Sequence, residues 1–406
     1  MIKKSFLNIS FVGAGHFFNA ALGLLFIAAV AKVLSLEDFG KYALISSLLV
    51  FTAKLTDFGT NSLFVAKSIS EGKKGLSNVL YSIKVLSFFV ALAVSLIILF
   101  IFKLNTIPLL IIFVLGLIAY EINFTLYALF QKLEEYPLLI LTNTLIAGIK
   151  GFFAILIFAK LYDPTLTEAF AIFAFSVYPS LLLFKFIPKE LRKFKFSIDG
   201  VKDFLMQSYP AGISQIISEG WSALNNSIVK LAQNFANVGI YSLADKISSI
   251  FTLISVSIFA VLLPKNARRK RQKLDYDFNE ALIISVGIMI LAVLAIIIAQ
   301  FLVVKVFGDK FAGSVAILDI LIFASAITSI NTFMENYFFV EGKTKYLMFL
   351  SLSRLFLLLV LALILMPRYA LSGLAYAQLI TNALILISIF TIVTRSISSK
   401  SEKDSS

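Results

Sequence analysis

Long apolar runs separated by short polar breaks recur from one end of the chain to the other. A stretch of about 20 apolar residues, rising about 1.5 Å per residue, crosses a hydrocarbon core of about 30 Å. The pattern therefore predicts twelve spans, at 9–34, 40–66, 78–102, 107–131, 137–160, 166–187, 208–231, 238–264, 278–305, 315–340, 346–366 and 371–395. Each is expected to be helical, because an open sheet edge in lipid leaves backbone groups unsatisfied. The expected fold class is an all-α polytopic membrane protein.

The polar breaks supply an orientation. With the N-terminus inside, the even-to-odd breaks and both tails hold about three times as many Lys and Arg as the other side, including the run "KNARRKRQK" at 265–273. Positive charge concentrates on the cytoplasmic side, so both termini are expected there, in the cytoplasmic (inner) membrane of a cell. The longest break, 188–207 ("PKELRKFKFSIDGVKDFLMQ"), mixes basic and aromatic residues and reads as an amphipathic segment on the cytoplasmic interface. It divides the chain into a six-span lobe at 1–187, a linker at 188–207, a second six-span lobe at 208–395 and a polar tail at 396–406. Six spans per half means that both halves start from the same side, the parallel kind of duplication. A faint repeat agrees. "FGKYALISSL" (39–48) aligns with "VGIYSLADKI" (238–247) through Gly, Tyr and Leu at an offset of 199, and "LFQKLEEYPL" (129–138) with "FVEGKTKYLM" (339–348).

Composition fits this picture: 59% of residues are hydrophobic and 15% charged, against about 25% charged in soluble proteins. The net charge of +13 belongs to the topology signal, and no nucleic-acid partner is expected. Cysteine is absent and His16 is the one histidine, which excludes thiolate chemistry and histidine metal clusters, so no metal or cofactor is expected. The start "MIKKSFLNIS" with "AAVA" at 28–31 imitates a cleaved leader, but its apolar run is too long, and it is read as the first span. The triplet "DFG" occurs twice, at 38–40 and 57–59, without the glycine-rich loop or "HRD" of a kinase. The first is expected to start a helix, with Asp38 favouring its N-terminus. No phosphate loop of the form GxxxxGK[ST] is present.

The stretch "LSLEDFGKYALISSLL", followed by "LTDFGTNS", together with the six-plus-six layout, resembles the oligosaccharide flippase (polysaccharide-export) family. That family belongs to the superfamily that also holds the multidrug-and-toxin exporters. The resemblance implies two six-helix lobes around a central cavity that opens alternately to each side. It also implies a lipid-linked oligosaccharide, carried on a polyprenyl diphosphate, as substrate moving from the cytoplasmic to the outer leaflet. The alternative within the superfamily is a proton- or sodium-coupled multidrug exporter. A membrane glycan polymerase or glycosyltransferase fits less well, since the outside loops are short and hold no spaced acid–base pair, and the chain is not expected to be an enzyme.

Ionisable and polar groups inside spans are costly and therefore candidates for function. In the seventh span, Gln215, Ser218, Ser222 and Asn225 recur at helical spacing, and Glu219 and Asn226 widen the stripe. The offset of 199 maps Gln215 onto His16 and Ser218 onto Asn19, so these residues are expected to line a cavity; tight packing through polar hydrogen bonds is the alternative. Lys54 and Asp57 lie three apart and are expected to pair on one helix face. Lys54, Lys150 and Arg354 are candidates for an anionic headgroup. Asp57, Glu121, Glu219 and Glu335 are candidates for ion coupling, while His16 is either a proton switch or a packed histidine.

Overall fold

The computed structural model describes residues 2–70, 75–251, 278–335, 337–338 and 343–404. The basic run at 265–273, much of the eighth expected span and the side chain of His16 lie outside what is described. The described residues are mostly helical, with no strand among them. Among the described residues, seven stretches are long and apolar enough to cross a membrane, and a bent pair of helices taken as one span makes an eighth. The protein is thus an all-α, multi-pass membrane protein.

The first unit, Met1–Gly239, contains most of the expected spans. Helix α1 covers Ile2–Val33; α2 (Leu36–Asp57) and α3 (Thr60–Ser70) form the second span, bent by 42° between them. Helices α4 (Leu76–Ile101), α5 (Ile107–Lys132) and α6 (Tyr136–Phe158) follow, then α7 (Leu166–Phe175) and the single turn α8 (Tyr178–Leu181), which continues to Phe186 as a 3-10 turn. The start of α2 is built as its sequence suggests. Ser35 caps it by accepting from the Asp38 N–H at 3.1 Å, and Lys41 bridges Glu37 and Asp38 at 2.9 and 3.4 Å. The first "DFG" is a helix start.

The break at 188–207, expected as an amphipathic segment, is helical only in part. α9 (Lys189–Arg192) is a single helical turn, 193–198 run without helix along α4, and helix resumes at Val201. The reason lies in α4's polar side chains: the Lys195 and Ser197 N–H groups donate to Asn78 Oδ1 and Ser82 Oγ at 3.1 and 2.9 Å. Backbone donors satisfied in this way need no helix. From Val201 the chain is already the helix of the next span, with Val201 and Phe204 buried against Phe64, Leu80 and Phe130. That span is α10 (Val201–Glu219) and α11 (Trp221–Ala232), interrupted at Gly220. A side chain on Gly220 would stand 2.6 Å from the Phe51 ring, so α2 presses on this break.

Helix α12 (Phe235–Ser248) begins in the first unit and ends in the second, Ile240–Ser406. The second unit holds α13 (Phe278–Phe307), α14 (Gly313–Met334) and α15 (Thr344–Asp404). The apolar stretch of α15, Lys345–Thr394, has 50 residues, about two and a half times one hydrocarbon thickness. It is kinked at Ala370 (φ 51°), three residues past Pro367, which fits the eleventh and twelfth expected spans meeting there.

Candidate functional site

The second "DFG" ends α2. Phe58 and Gly59 adopt left-handed backbone conformations (φ 43° and 72°), which the glycine makes inexpensive. Asp57 then caps α3, its Oδ1 accepting from the Asn61 N–H at 2.9 Å, while Thr60 Oγ1 donates to the Asp57 carbonyl. Helix α10 lies so close to this break that a Cβ on Gly59 would stand 2.7 Å from the Gly212 nitrogen. A Cβ on Gly212 would stand 2.5 Å from the Phe58 carbonyl oxygen. The bend thus brings Asp57 into the helix packing with its carboxylate turned inward, 3% exposed.

What Asp57 meets there is an ion cluster. Lys84 of α4 places Nζ 3.3 Å from Asp57 Oδ1 and 3.3 Å from Glu121 Oε1 of α5. All three side chains are at most 10% exposed. The other oxygens are held too: Gln215 Nε2 of α10 donates to Asp57 Oδ2 at 3.0 Å, and the Thr56 hydroxyl donates to Glu121 Oε2. A buried charge is tolerable only with such pairing and hydrogen bonding. Four helices of the first unit therefore converge on one ammonium and two carboxylates.

Lys54, expected to pair with Asp57, instead reaches Glu219 at 3.5 Å and lies 4.2 Å over the Phe124 ring. The i, i+3 spacing allowed the first pairing, but Lys84 occupies Asp57 from the neighbouring helix. Asp57, Glu121 and Glu219 thus outnumber Lys54 and Lys84 by one charge in this network.

The stripe of the seventh span is divided. Gln215 faces the cluster, Ser218 and Glu219 are exposed, and Ser222 is half-buried. Beyond the interruption at Gly220, Asn225 and Asn226 are buried; Asn226 Nδ2 donates to the Ala43 carbonyl and Ser47 Oγ at 3.3 and 3.1 Å. The Asn225 amide has no hydrogen-bond partner among the described residues. Asn19 lines a polar pocket of about 190 Å³ with Lys150, Asn123, Asn143 and Tyr120. Lys150 sits 3.9 Å over the Phe173 ring and donates to the Tyr120 hydroxyl at 3.4 Å. In the second unit, Arg354 pairs with Glu335 at 3.3 Å, both largely buried. The candidate headgroup cations thus have separate local partners: Glu219 for Lys54, Phe173 for Lys150 and Glu335 for Arg354.

Lys84 is the residue that sequence reasoning missed. It stands near the start of its span, where a lysine is easily taken for one that reaches back to the interface. The available signal was its isolation, since it is the one charged residue between Lys74 and Lys103.

Comparison with known proteins places this site in a family context. Residues 6–270 match the family model described as "Polysaccharide biosynthesis protein". Capsular polysaccharide biosynthesis protein CapF of Staphylococcus aureus is 23% identical over 401 residues, covering 94% of this chain and 98% of CapF. Among solved structures, lipid II flippase MurJ in an inward closed conformation superposes with a TM-score of 0.75 at 15% identity, over 95% of this chain and 87% of MurJ. An inward-facing MATE family multidrug resistance transporter of the MOP superfamily gives 0.72 at 16% identity, over 94% and 96% of the two chains. At these identities the structural likeness speaks for the fold.

Proposed function

The chain belongs to the polysaccharide biosynthesis protein family, and from that membership we propose that it is a flippase for a lipid-linked oligosaccharide. It would move the substrate from the cytoplasmic to the outer leaflet for surface polysaccharide assembly, with both termini in the cytoplasm and no covalent chemistry of its own. The lobes would be 1–187 and 208–395, alternating access to a cavity between them. The polyprenyl tail stays in the bilayer while the charged and glycosylated head crosses.

The observation that carries the reading, beside family membership, is the buried cluster of Asp57, Lys84 and Glu121 with Gln215 of the seventh span against it. Ionisable groups held this deep among membrane helices are expensive, and they mark ion or substrate pathways. The single excess negative charge of the network matches one proton or one monovalent cation. Taking up and releasing that charge alters how tightly α10 is held to α2 through Gln215, which is the coupling we assign to Asp57 and Glu121. Glu335, paired with Arg354, is a second coupling candidate, and Lys150 with Asn19 a polar contact for the headgroup.

The test is deletion of the gene followed by complementation. Loss of surface glycan with accumulation of its lipid-linked precursor on the cytoplasmic side, restored by the wild-type chain, is the expected result. Intact surface glycan with raised sensitivity to cationic drugs would instead establish the multidrug exporter.

A further inference from the structure

A second pocket, of about 450 Å³, lies on the flank of the first unit, apart from the polar pocket of Lys150. This volume falls in the range of about 300–1,000 Å³ common for ligand sites. Its walls come from Val85 and Phe89 of α4, Ile122 of α5, Phe184, and Phe194 of the segment that follows α9. These five side chains are between 38% and 65% exposed, so the pocket opens outward rather than into the helix packing. Lys84 and Glu121 form part of its lining, but their charges are already engaged with each other and with Asp57. The interior therefore offers hydrocarbon contact and no unpaired charge for a headgroup.

One end of the pocket is basic. Arg192 lines it, and Lys185, Lys189, Lys193 and Lys195 are exposed between 185 and 195, against one acid there, Glu190; Asp199 follows further along the segment. This segment is fixed in place: the Tyr81 hydroxyl donates to the Leu191 carbonyl at 2.6 Å, and the Tyr81 and Phe194 rings meet edge to face at 6.0 Å. Arg192 donates to the carbonyls of Lys185 and Ile187, which occupies two of its five N–H groups. From Tyr81, beside the basic end, to Phe89 is eight residues of helix, about 12 Å along α4. Cations at the interfacial end of a transmembrane helix, with an aromatic slot about 12 Å deep below them, reproduce the axis of one phospholipid.

We propose that this pocket binds an anionic membrane phospholipid, with one acyl chain between α4 and α5 and the phosphate on Arg192 and the neighbouring lysines. The bound lipid fastens the segment at 188–200 to α4. The inference stands apart from the flippase reading, since it needs neither the glycan nor transport.

The full-length protein carrying Trp221→Phe and Phe89→Trp, in neutral detergent micelles, provides the probe. Phosphatidylglycerol brominated on its acyl chain is expected to quench the Trp fluorescence at concentrations where brominated phosphatidylcholine does not. Each of Lys189→Gln, Lys193→Gln and Lys195→Gln, which leave Arg192 and its carbonyl bonds intact, is expected to weaken phosphatidylglycerol about fivefold. Equal quenching by the two lipids overturns the proposal, and so does quenching that the lysine changes leave unaltered. Displacement of bound phosphatidylglycerol by equimolar polyprenyl diphosphate also overturns it, by assigning the pocket to the glycan carrier.

Discussion

Lys84→Gln removes the ammonium from the middle of the ion cluster while keeping a polar side chain of similar reach. At 3.3 Å and an effective dielectric of about 20, each of Asp57 and Glu121 attracts Lys84 by about 5 kcal/mol before desolvation is counted. Most of that is consumed in burying the three ions, so the pairs add little net stability compared with apolar packing. Removing one partner is a different matter, because two buried carboxylates are then left facing each other, a loss of about 3–5 kcal/mol. The expected outcome is a marked drop in melting temperature, read by loss of the monodisperse chromatography peak after heating the purified protein, together with loss of complementation. The triple change Asp57→Asn, Lys84→Met, Glu121→Gln removes every charge at once. It is expected to regain much of the melting temperature without regaining transport, which separates the structural role of the pairs from the coupling role. A Lys84→Gln protein with wild-type melting and wild-type surface glycan would refute both parts of the reasoning. A triple variant that transports normally would refute the coupling part alone.

The stripe of the seventh span yields a labelling pattern: in this naturally cysteine-free chain, Ser218→Cys and Glu219→Cys are expected to react with a water-soluble maleimide, and Asn225→Cys and Asn226→Cys to resist it. Uniform resistance across the four would show that the exposed stretch faces lipid rather than water. Arg354→Gln is expected to destabilise the second unit by leaving Glu335 buried and unpaired, and Arg354→Gln with Glu335→Gln to restore much of the loss. Full transport by that double variant would confine the pair to a structural role. Gly40→Ala is expected to abolish recovery of folded protein or to block transport outright. Its Cβ would fall 1.7 Å from the Phe235 carbonyl oxygen, a backbone atom that cannot rotate away. Normal yield and normal glycan export from Gly40→Ala would show that this close approach is not needed.

The helices were legible because lipid imposes one rule on every span: the runs of 20 or so apolar residues became α4, α5 and α6 within two residues of their expected ends. The bend at Asp57–Gly59 was only partly legible. The glycine of the second "DFG" permits a left-handed turn, but the left-handed Phe58 beside it lies against α10, which no local pattern reveals. Side-chain partners were less accessible still. Spacing within one helix proposed Lys54 for Asp57, whereas the cluster is decided between helices, where Lys84 on α4 reaches Asp57 first. The backbone path of the linker was hidden for a similar reason, since a mixed basic and aromatic pattern says nothing of the acceptors that α4 offers to its N–H groups.

The faint repeat gains most from the contacts. Three matched residues in ten carry little weight by themselves, yet the structure treats the two copies alike. Tyr42 and Tyr241 are both buried, as are Leu44 and Leu243, each pair separated by the offset of 199. The third match, Gly40 and Gly239, is a contact. A Cβ on Gly40 would strike the Phe235 carbonyl oxygen, and one on Gly239 would lie 2.7 Å from the Leu36 carbonyl oxygen. Phe235 is Leu36 moved by the same 199 positions, so each contact is the image of the other. Reciprocity of that kind is what a two-fold axis passing between two equivalent helix starts produces. It also explains why glycine stands at both positions: where two copies of one helix start cross backbone to backbone, neither has room for a side chain. The repeat is therefore more than three matched letters: it marks a self-complementary crossing of the starts of α2 and α12, in which each glycine makes room for the backbone of the other.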